Sequence, residues 1–385
     1  MNRTTSGLLC SDDDAIALLG DRLPCRRSSS AERMRLSLVV VTYRRADAKS
    51  SRRGRNFLGS AMIVSVAEEF EQVTARYRRE LLAACYQMLG STHDAEDAVQ
   101  ETMLRAWRTR DRYDESRSSW RTWLHRIATN VCLNALESRQ RRPLPSTLVG
   151  PSVDPEQALV PSFEVPWLQP IPTALLVGER DDPAATLLER GRLRLAFAAT
   201  LQLLSARQRA VLILRAVLQF SAAEVAEMID TSVPATNSLL QRARSTLSQR
   251  SDLEAATEAG TNVADEEVLE QYTQAFVRGD VHALTDLLAA DAVLEMPPVP
   301  LWYRGRALYG QFMARVFRLR GSDWRIERTN ANGQPAFAAY VRADGTYKLH
   351  TLQVLSVRAD VIARTVVFQD PAVFAAFGFP TEPCN

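Results

Sequence analysis

The sequence predicts a multidomain chain in which two all-α domains are followed by an α+β domain. Three observations predict it. Apolar residues recur at helical spacing in two separate stretches, 62–142 and 185–250. A proline-dense, acidic stretch at 143–184 lies between them and allows no long helix or central strand. Beyond an acidic hinge at 251–265, the residues 266–385 begin with helical patterns and end in alternating runs typical of strands. A chain of 385 residues is long enough to bury several cores.

Residues 1–61 carry 11 Arg and one Lys against six acids and show no sustained period. They read as a basic, disordered extension or as an arm adding non-specific DNA affinity, and Met34 or Met62 is an alternative start to Met1. The net charge of +2 hides segregation, because 143–186 holds six acids and one Arg, and 251–267 holds six acids and no base. Blocks of opposite sign imply several electrostatic partners. The five cysteines are odd in number and scattered, with no C-x-x-C spacing, which fits a reducing, cytoplasmic setting without disulfide or zinc. Leu38–Val41, the longest aliphatic run near the N-terminus, is far too short for a membrane span or a secretory signal.

In the first helical stretch, Phe70, Val73, Tyr77, Leu81 and Tyr86 predict one helix over Glu68–Leu89, ended by Gly90. The next segment, STHDAEDAVQETMLRAWR, places Val99, Met103, Ala106 and Trp107 on one face. Asp94, Asp97 and Glu101 fall on another, at i, i+3 and i+7. Such a stripe is either a solvated face or a docking surface. A loop, Thr109–Ser119, leads to SWRTWLHRIATNVCLNALESRQRR. Here Trp120, Leu124, Ile127 and Val131 form one face, and Arg121, Arg126, Asn130 and Asn134 lie elsewhere. From Arg105 to Arg142 there are ten Arg and four acids. Basic residues interleaved with aromatics suit unwound DNA, although Trp120 and Trp123 are expected in the core.

In the second helical stretch, Ser205, Ser221 and Ser232 each stand where a serine caps a helix. Val211, Leu212 and Leu214 belong inside the first helix, and Val225, Ala226 and Ile229 inside the second. Pro234 falls early in the third, where its missing N–H costs little. From Ser232 to Arg250 that helix carries Arg242, Arg244 and Arg250 and no acid. The whole is a helix-turn-helix whose last helix has the charge that a major groove requires.

The two blocks resemble region 2 and region 4 of the extracytoplasmic-function (ECF) sigma factors of the sigma-70 family, arriving in the family's order with a linker between. The resemblance implies that Asp94, Asp97, Glu101 and Arg105 dock on the largest subunits of core RNA polymerase. It implies that Arg121, Asn130, Asn134 and Arg139 recognise and help melt the −10 element. It implies that Pro234, Ala235, Asn237, Ser238, Gln241, Arg242 and Arg244 present the −35 reading surface. Members commonly have basic residues where Asn237 and Leu239 stand, so fewer phosphate contacts or an unusual −35 preference is expected. The linker, which in sigma factors threads the polymerase cleft, is here acidic and contains Phe163, Trp167 and Leu168. Its WLQP resembles a linker motif of ECF factors that carry an extra C-terminal domain, as in the actinobacterial sigma-G type.

For the C-terminal domain the sequence predicts helices at Val268–Phe276 and Val281–Leu288 and a short strand at Ala292–Met296. Further strands are expected at Ala336–Val341, Thr346–Val357 and Val361–Phe368, with a hairpin turn at Asp344–Gly345. These strands are expected to form a curved antiparallel sheet. In the middle strand Leu352 and Val354 face one way, and Leu349, Leu355 and Val357 the other, so both faces should be covered. MPP…WYRGR resembles the SnoaL-like, NTF2-like cone fold. That likeness implies a pocket, with Glu295, Trp302, Tyr303, Arg304 and His350 as lining candidates for a small-molecule ligand or a regulatory protein contact.

No P-loop, H-E-x-x-H or G-x-S-x-G motif is present, so no cofactor or metal is expected and no enzyme activity. The expected function is that of an alternative sigma factor, binding core polymerase and promoter −10 and −35 elements, without a membrane role and regulated in cis by the cone domain. The competing expectation is a one-component helix-turn-helix regulator with a ligand-sensing C-terminal domain.

Overall fold

The structure, a computed structural model, describes residues 68–137, 141–176, 194–248 and 263–380. The chain divides into one unit ending at Arg76 and another beginning at Tyr77. In the first, residues 68–75 are helical, and the Thr74 hydroxyl donates to the Phe70 carbonyl at 2.8 Å. The single helix expected over Glu68–Leu89 is therefore two, and no side chain caps the second. The basic extension at 1–61, linker residues 177–193 and hinge residues 251–262 lie outside the described residues.

The second unit opens with three helices, α1 (Arg78–Leu89), α2 (Thr92–Thr109) and α3 (Trp120–Glu137). Gly90 closes α1 in a left-handed conformation, φ 70°. A Cβ there would meet Leu168 Cδ1 at 2.9 Å, so both the backbone and the approach of the linker call for glycine. Ser91 caps α2 by accepting the Asp94 N–H at 3.3 Å. Leu81, Met103 and Leu124 are fully buried between the three helices.

The helix-turn-helix domain contains α4 (Leu195–Leu201), α5 (Ala206–Leu212), α6 (Ala222–Met228) and α7 (Val233–Ser248). The three serines act as expected. Ser205 and Ser221 each form a capping box, with Gln208 and Glu224 respectively, and Ser232 accepts the Ala235 N–H at 3.3 Å. Val211, Leu212, Leu214, Val225, Ala226 and Ile229 are all buried, together with Ile213 and Met228. One feature departs from the simple motif: α5 runs on into a π-helical turn, Ile213–Val217, before the Leu218–Phe220 bend.

The last domain comprises α8 (Val263–Arg278), α9 (Val281–Asp286), β1 (Leu288–Glu295), β2 (Trp302–Arg304), α10 (Arg306–Arg320), β3 (Trp324–Ala331), β4 (Gln334–Ala343), β5 (Thr346–Arg358), β6 (Val361–Phe368) and α11 (Pro371–Ala376). The six strands form one sheet in the order β2-β1-β6-β5-β4-β3. The sheet is mixed rather than wholly antiparallel, because β1 and β6 pair in parallel. From β2 the chain crosses by α10 to the far edge and returns through antiparallel pairs, which brings β6 alongside β1. Strands β2 and β3 were not expected. The β3–β4 hairpin turns at Asn332–Gly333, both left-handed, and the β4–β5 hairpin turns at Asp344–Gly345 as foreseen. Leu352, Val354, Leu355 and Val357 are all buried, so both faces of β5 are covered. Tyr272, Phe276, Trp324 and Phe337 make the aromatic centre of the core.

The linker is docked along the protein. It has a helical turn at Pro145–Leu148 and a 3₁₀ turn at Thr173–Leu175, and Trp167, Leu168 and Ile171 are buried. Phe163, the third apolar residue that marked this stretch, stays 67% exposed.

Candidate polymerase and nucleic-acid interfaces

The acidic stripe of α2 is only partly open. Asp97 is exposed beside His93 at 3.2 Å, and Glu101 accepts from Arg105 Nε at 2.7 Å. Asp94 is held by Arg142 at 2.6 Å and its side chain is 13% exposed. Arg142 also donates to the Trp167 carbonyl at 3.2 Å, so the same guanidinium joins the stripe to the linker.

On α3 the helix-turn-helix domain covers part of the candidate DNA face. The Arg121 guanidinium donates to Glu80 and, at 2.9 Å, to the Leu218 carbonyl, and it lies 4.3 Å from the Phe220 ring centroid. Asn130 donates to the Met228 carbonyl at 3.3 Å. Around them Thr122 meets Glu224 at 3.2 Å and Arg126 meets Glu227 at 2.9 Å. Asn134 is exposed, and Arg139 lies outside the described residues. Burial works to raise the Glu80 carboxyl, but hydrogen bonds and charge from His125 and Arg121 outweigh it and hold the pKa at about 2. Burial also lowers the pKa of His125, whose ring packs edge-on against Phe220 at 5.2 Å.

Trp120 and Trp123 are half-buried rather than core residues. They cluster with Tyr113 of the preceding loop, with ring centroids 4.0 Å (Tyr113–Trp120), 5.2 Å (Tyr113–Trp123) and 5.4 Å (Trp120–Trp123) apart. A partly open aromatic cluster at the start of a basic helix has the chemistry of a base-stacking platform.

The face of α7 is open by contrast. Pro234, Asn237, Gln241, Arg242 and Arg244 are exposed and Ala235 and Ser238 half-buried, while Thr236, Leu240 and Ala243 turn inward. The exposed residues follow helical spacing and carry two positive charges, so the helix presents one polar, basic surface.

In the cone domain three of the five candidate pocket residues engage the chain's own linker. Glu295, fully buried, pairs with Arg364 and accepts the Ser146 N–H at 2.9 Å. Trp302 Nε1 donates to the Val149 carbonyl at 2.8 Å, and the Tyr303 hydroxyl donates to the Asp154 carbonyl at 3.1 Å. Arg304 is exposed. His350 packs on Trp324 at 5.5 Å, and desolvation draws its pKa down to about 4. Sequence reasoning missed Arg315, which donates to the Pro155 and Gln157 carbonyls at 3.1 and 2.7 Å, and Arg318, which holds Glu156 at 2.8 Å. It also missed a buried hydroxyl chain, in which Tyr272 meets Tyr309 at 2.7 Å and Tyr309 donates to Thr365 at 2.9 Å.

Two further ties cross domains. Buried Arg209 on α5 donates to the Met88 carbonyl at the end of α1 and to Gln202 Oε1 at 2.7 Å, and desolvation lowers its pKa to about 10. Buried Asn332, in the β3–β4 turn, exchanges hydrogen bonds with Ile171 at 2.9 and 3.0 Å, and Gly333 N–H donates to Thr173 at 2.9 Å. Among the described residues no helix is long and apolar enough to cross a membrane.

Comparison with known proteins agrees with this architecture. Residues 73–142 match the family described as Sigma-70 region 2, residues 194–247 match Sigma-70, region 4, and residues 269–370 match the SnoaL-like domain. The chain is 47% identical over 314 residues to the ECF RNA polymerase sigma factor SigG of Mycobacterium tuberculosis, covering 81% of this chain and 84% of that protein. It is 29% identical over 224 residues to SigJ of the same organism, covering 58% of this chain and 62% of SigJ. The crystal structure of the M. tuberculosis extracytoplasmic function sigma factor SigJ superposes with a TM-score of 0.54 at 22% identity, covering 82% of this chain and all of that one, which establishes a shared fold.

Proposed function

Because the chain belongs to the ECF RNA polymerase sigma factors, we propose that it works in the cytoplasm as an alternative sigma factor that exists in a closed form and must open to engage a promoter. It binds core RNA polymerase and directs promoter-specific initiation. Asp94, Asp97, Glu101 and Arg105 are the proposed polymerase contacts. Arg121, Asn130, Asn134 and Arg139 serve the −10 element, and the exposed face of α7 from Pro234 to Arg244 serves the −35 element. The proposed functional modules run 62–142, 185–250 and 266–385. Residues 1–61 act as a basic extension, with 143–184 as linker and 251–265 as hinge.

One observation carries the closed form. Arg121 and Asn130 spend hydrogen bonds on the Leu218 and Met228 carbonyls of the helix-turn-helix domain. Those donors are not available to bases while the two domains remain together. The cone domain supports the same state by holding the linker through Glu295, Trp302, Tyr303 and Arg315. Its role is therefore regulatory and in cis, with the linker occupying the candidate pocket, rather than catalytic.

Reconstituted transcription tests this reading. Core polymerase and a promoter pool are run with the full chain and with a chain ending at Arg250. Selective start sites that require the protein, and stronger initiation by the shorter chain, are expected. Tight operator binding without any core-dependent transcription would overturn the sigma reading, and equal activity of the two chains would overturn the regulatory one.

A further inference from the structure

Cys85 on α1 and Cys132 on α3 are both free thiols, each 1% exposed. Their side chains line one cavity of about 10 Å³, at the lower limit of what holds one water. Part of the wall comes from the other domain, as Ala210, Ile213 and Leu214 of α5 and its π turn also line the cavity. The pair thus sits at the surface on which the first helical domain receives the helix-turn-helix domain. Neither thiol belongs to the proposed polymerase or DNA faces.

We propose that Cys85 and Cys132 form a dithiol–disulfide pair, a site of oxidation by hydroperoxides that becomes reactive when the helix-turn-helix domain leaves the first helical domain. The gating rests on the closed-form reading above. Two thiols that line one cavity of this size need little movement to approach a disulfide bond length of about 2.05 Å. Within the closed form the reaction is held back in two ways. The cavity has room for about one water, less than a peroxide needs, and the neighbouring Cys85 thiol, with burial, raises the Cys132 thiol pKa well above its ordinary value. A thiol that stays protonated is a poor nucleophile. Removal of Ala210, Ile213 and Leu214 opens one wall to solvent and restores access to water and to the thiolate.

The chemistry balances with hydrogen peroxide as the two-electron oxidant. One thiolate attacks a peroxide oxygen and the O–O bond breaks. A sulfenic acid forms, and the departing hydroxide takes up a proton as the first water. The second thiolate then attacks the sulfenic sulfur, the S–O bond breaks, and the hydroxide leaves as the second water. Two thiols and one peroxide give one disulfide and two waters, the sulfurs losing two electrons and the peroxide gaining them. The product joins α1 to α3 within the surface that receives α5.

The test treats the full chain with hydrogen peroxide, blocks remaining thiols by alkylation, and measures the peptide linked through Cys85 and Cys132 by mass spectrometry. Three samples are compared: the wild type, Glu227→Arg, which sets a like charge against Arg126, and the wild type with core polymerase. Hydrogen exchange on α3 and α6 records opening independently. The linked peptide should form at least tenfold faster wherever exchange records opening, and should be absent from Cys85→Ala. Open samples without the linked peptide would overturn the proposal, and equal rates in open and closed samples would overturn the gate. If core polymerase binds without raising exchange on α3 and α6, the closed-form reading itself fails and takes the gate with it. A linked peptide in those samples would still uphold the pair.

Discussion

Asn332 donates its side-chain amide to the Tyr86 hydroxyl at 2.8 Å, across 246 residues of sequence. The Tyr86 hydroxyl in turn donates to the Gln169 carbonyl at 2.8 Å, so the cone domain, the first helical domain and the linker meet at one buried phenol. With the amide gone, Asn332→Ala would leave the Ile171 N–H without its acceptor in a buried place. An orphaned buried polar group costs about 1–3 kcal/mol. The expected outcome is a lower denaturation midpoint together with faster amide exchange at Ile171, measured by hydrogen–deuterium exchange. Tyr86→Phe should share the exchange effect at the Asn332 turn.

Glu80 makes acid stability a readout of α1–α3 pairing. Its carboxyl has a pKa of about 2 instead of the ordinary 4.5. A depressed pKa means that the folded state binds the proton less readily than the unfolded state does. The contribution is therefore complete above pH 4.5 and is lost as pH falls towards 2. Glu80→Gln should lower stability at pH 6 and flatten its decline between pH 4.5 and 2.5, as followed by urea denaturation at each pH. An unchanged slope would show that other carboxylates govern the acid limb.

Arg209 links the helix-turn-helix domain to the end of α1, and among the described residues none of its hydrogen bonds is to a carboxylate. Arg209→Met keeps the volume but leaves the Met88 and Leu204 carbonyls without this donor. A loss of about 2–3 kcal/mol is expected, since charged hydrogen bonds lie at the upper end of the usual range. Arg209→Lys should recover only part of it, because an ammonium cannot span the same set of acceptors. Denaturant midpoints of the three proteins decide this.

Arg142 is expected to limit access to Asp94. Arg142→Ala should tighten binding to core polymerase by several fold, while reversal of Asp97 and Glu101 to Arg should abolish it. Competition for core against a labelled sigma factor measures both. A weaker Arg142→Ala complex would mean that the linker's position, rather than the freedom of Asp94, controls docking.

Much of the all-α part was legible because its signals are local. Ser205, Ser221 and Ser232 announce three helix starts through hydrogen bonds made within three residues, and the structure contains all three. The Asp344–Gly345 turn was legible for the same reason. The Asn332–Gly333 turn carries an equally strong hairpin signal, and reading it would have located β3. The parallel pairing of β1 with β6 has no such signature, since it depends on where α10 carries the chain. The engagement of Arg121 and Asn130 was likewise hidden. Their partners are main-chain carbonyls at Leu218 and Met228, and a carbonyl exists at every position, so no residue type marks the contact. The docking of the linker was half visible in Trp167 and Leu168, yet its main grips, Arg315 and Arg318, looked like ordinary charges on a helix.

The Asn332 tie also has a consequence in time. A ribosome completes α7 about 120 residues before it completes β6, which at ~5–20 residues per second is roughly 6–24 s. During that interval the two helical domains exist without the turn that holds Tyr86 and Ile171. On the closed-form proposal, each newly made molecule would pass through a brief period in which its polymerase-binding helices are not yet held by the C-terminal domain, and the share of factor entering transcription would depend on the speed of translation as well as on any signal.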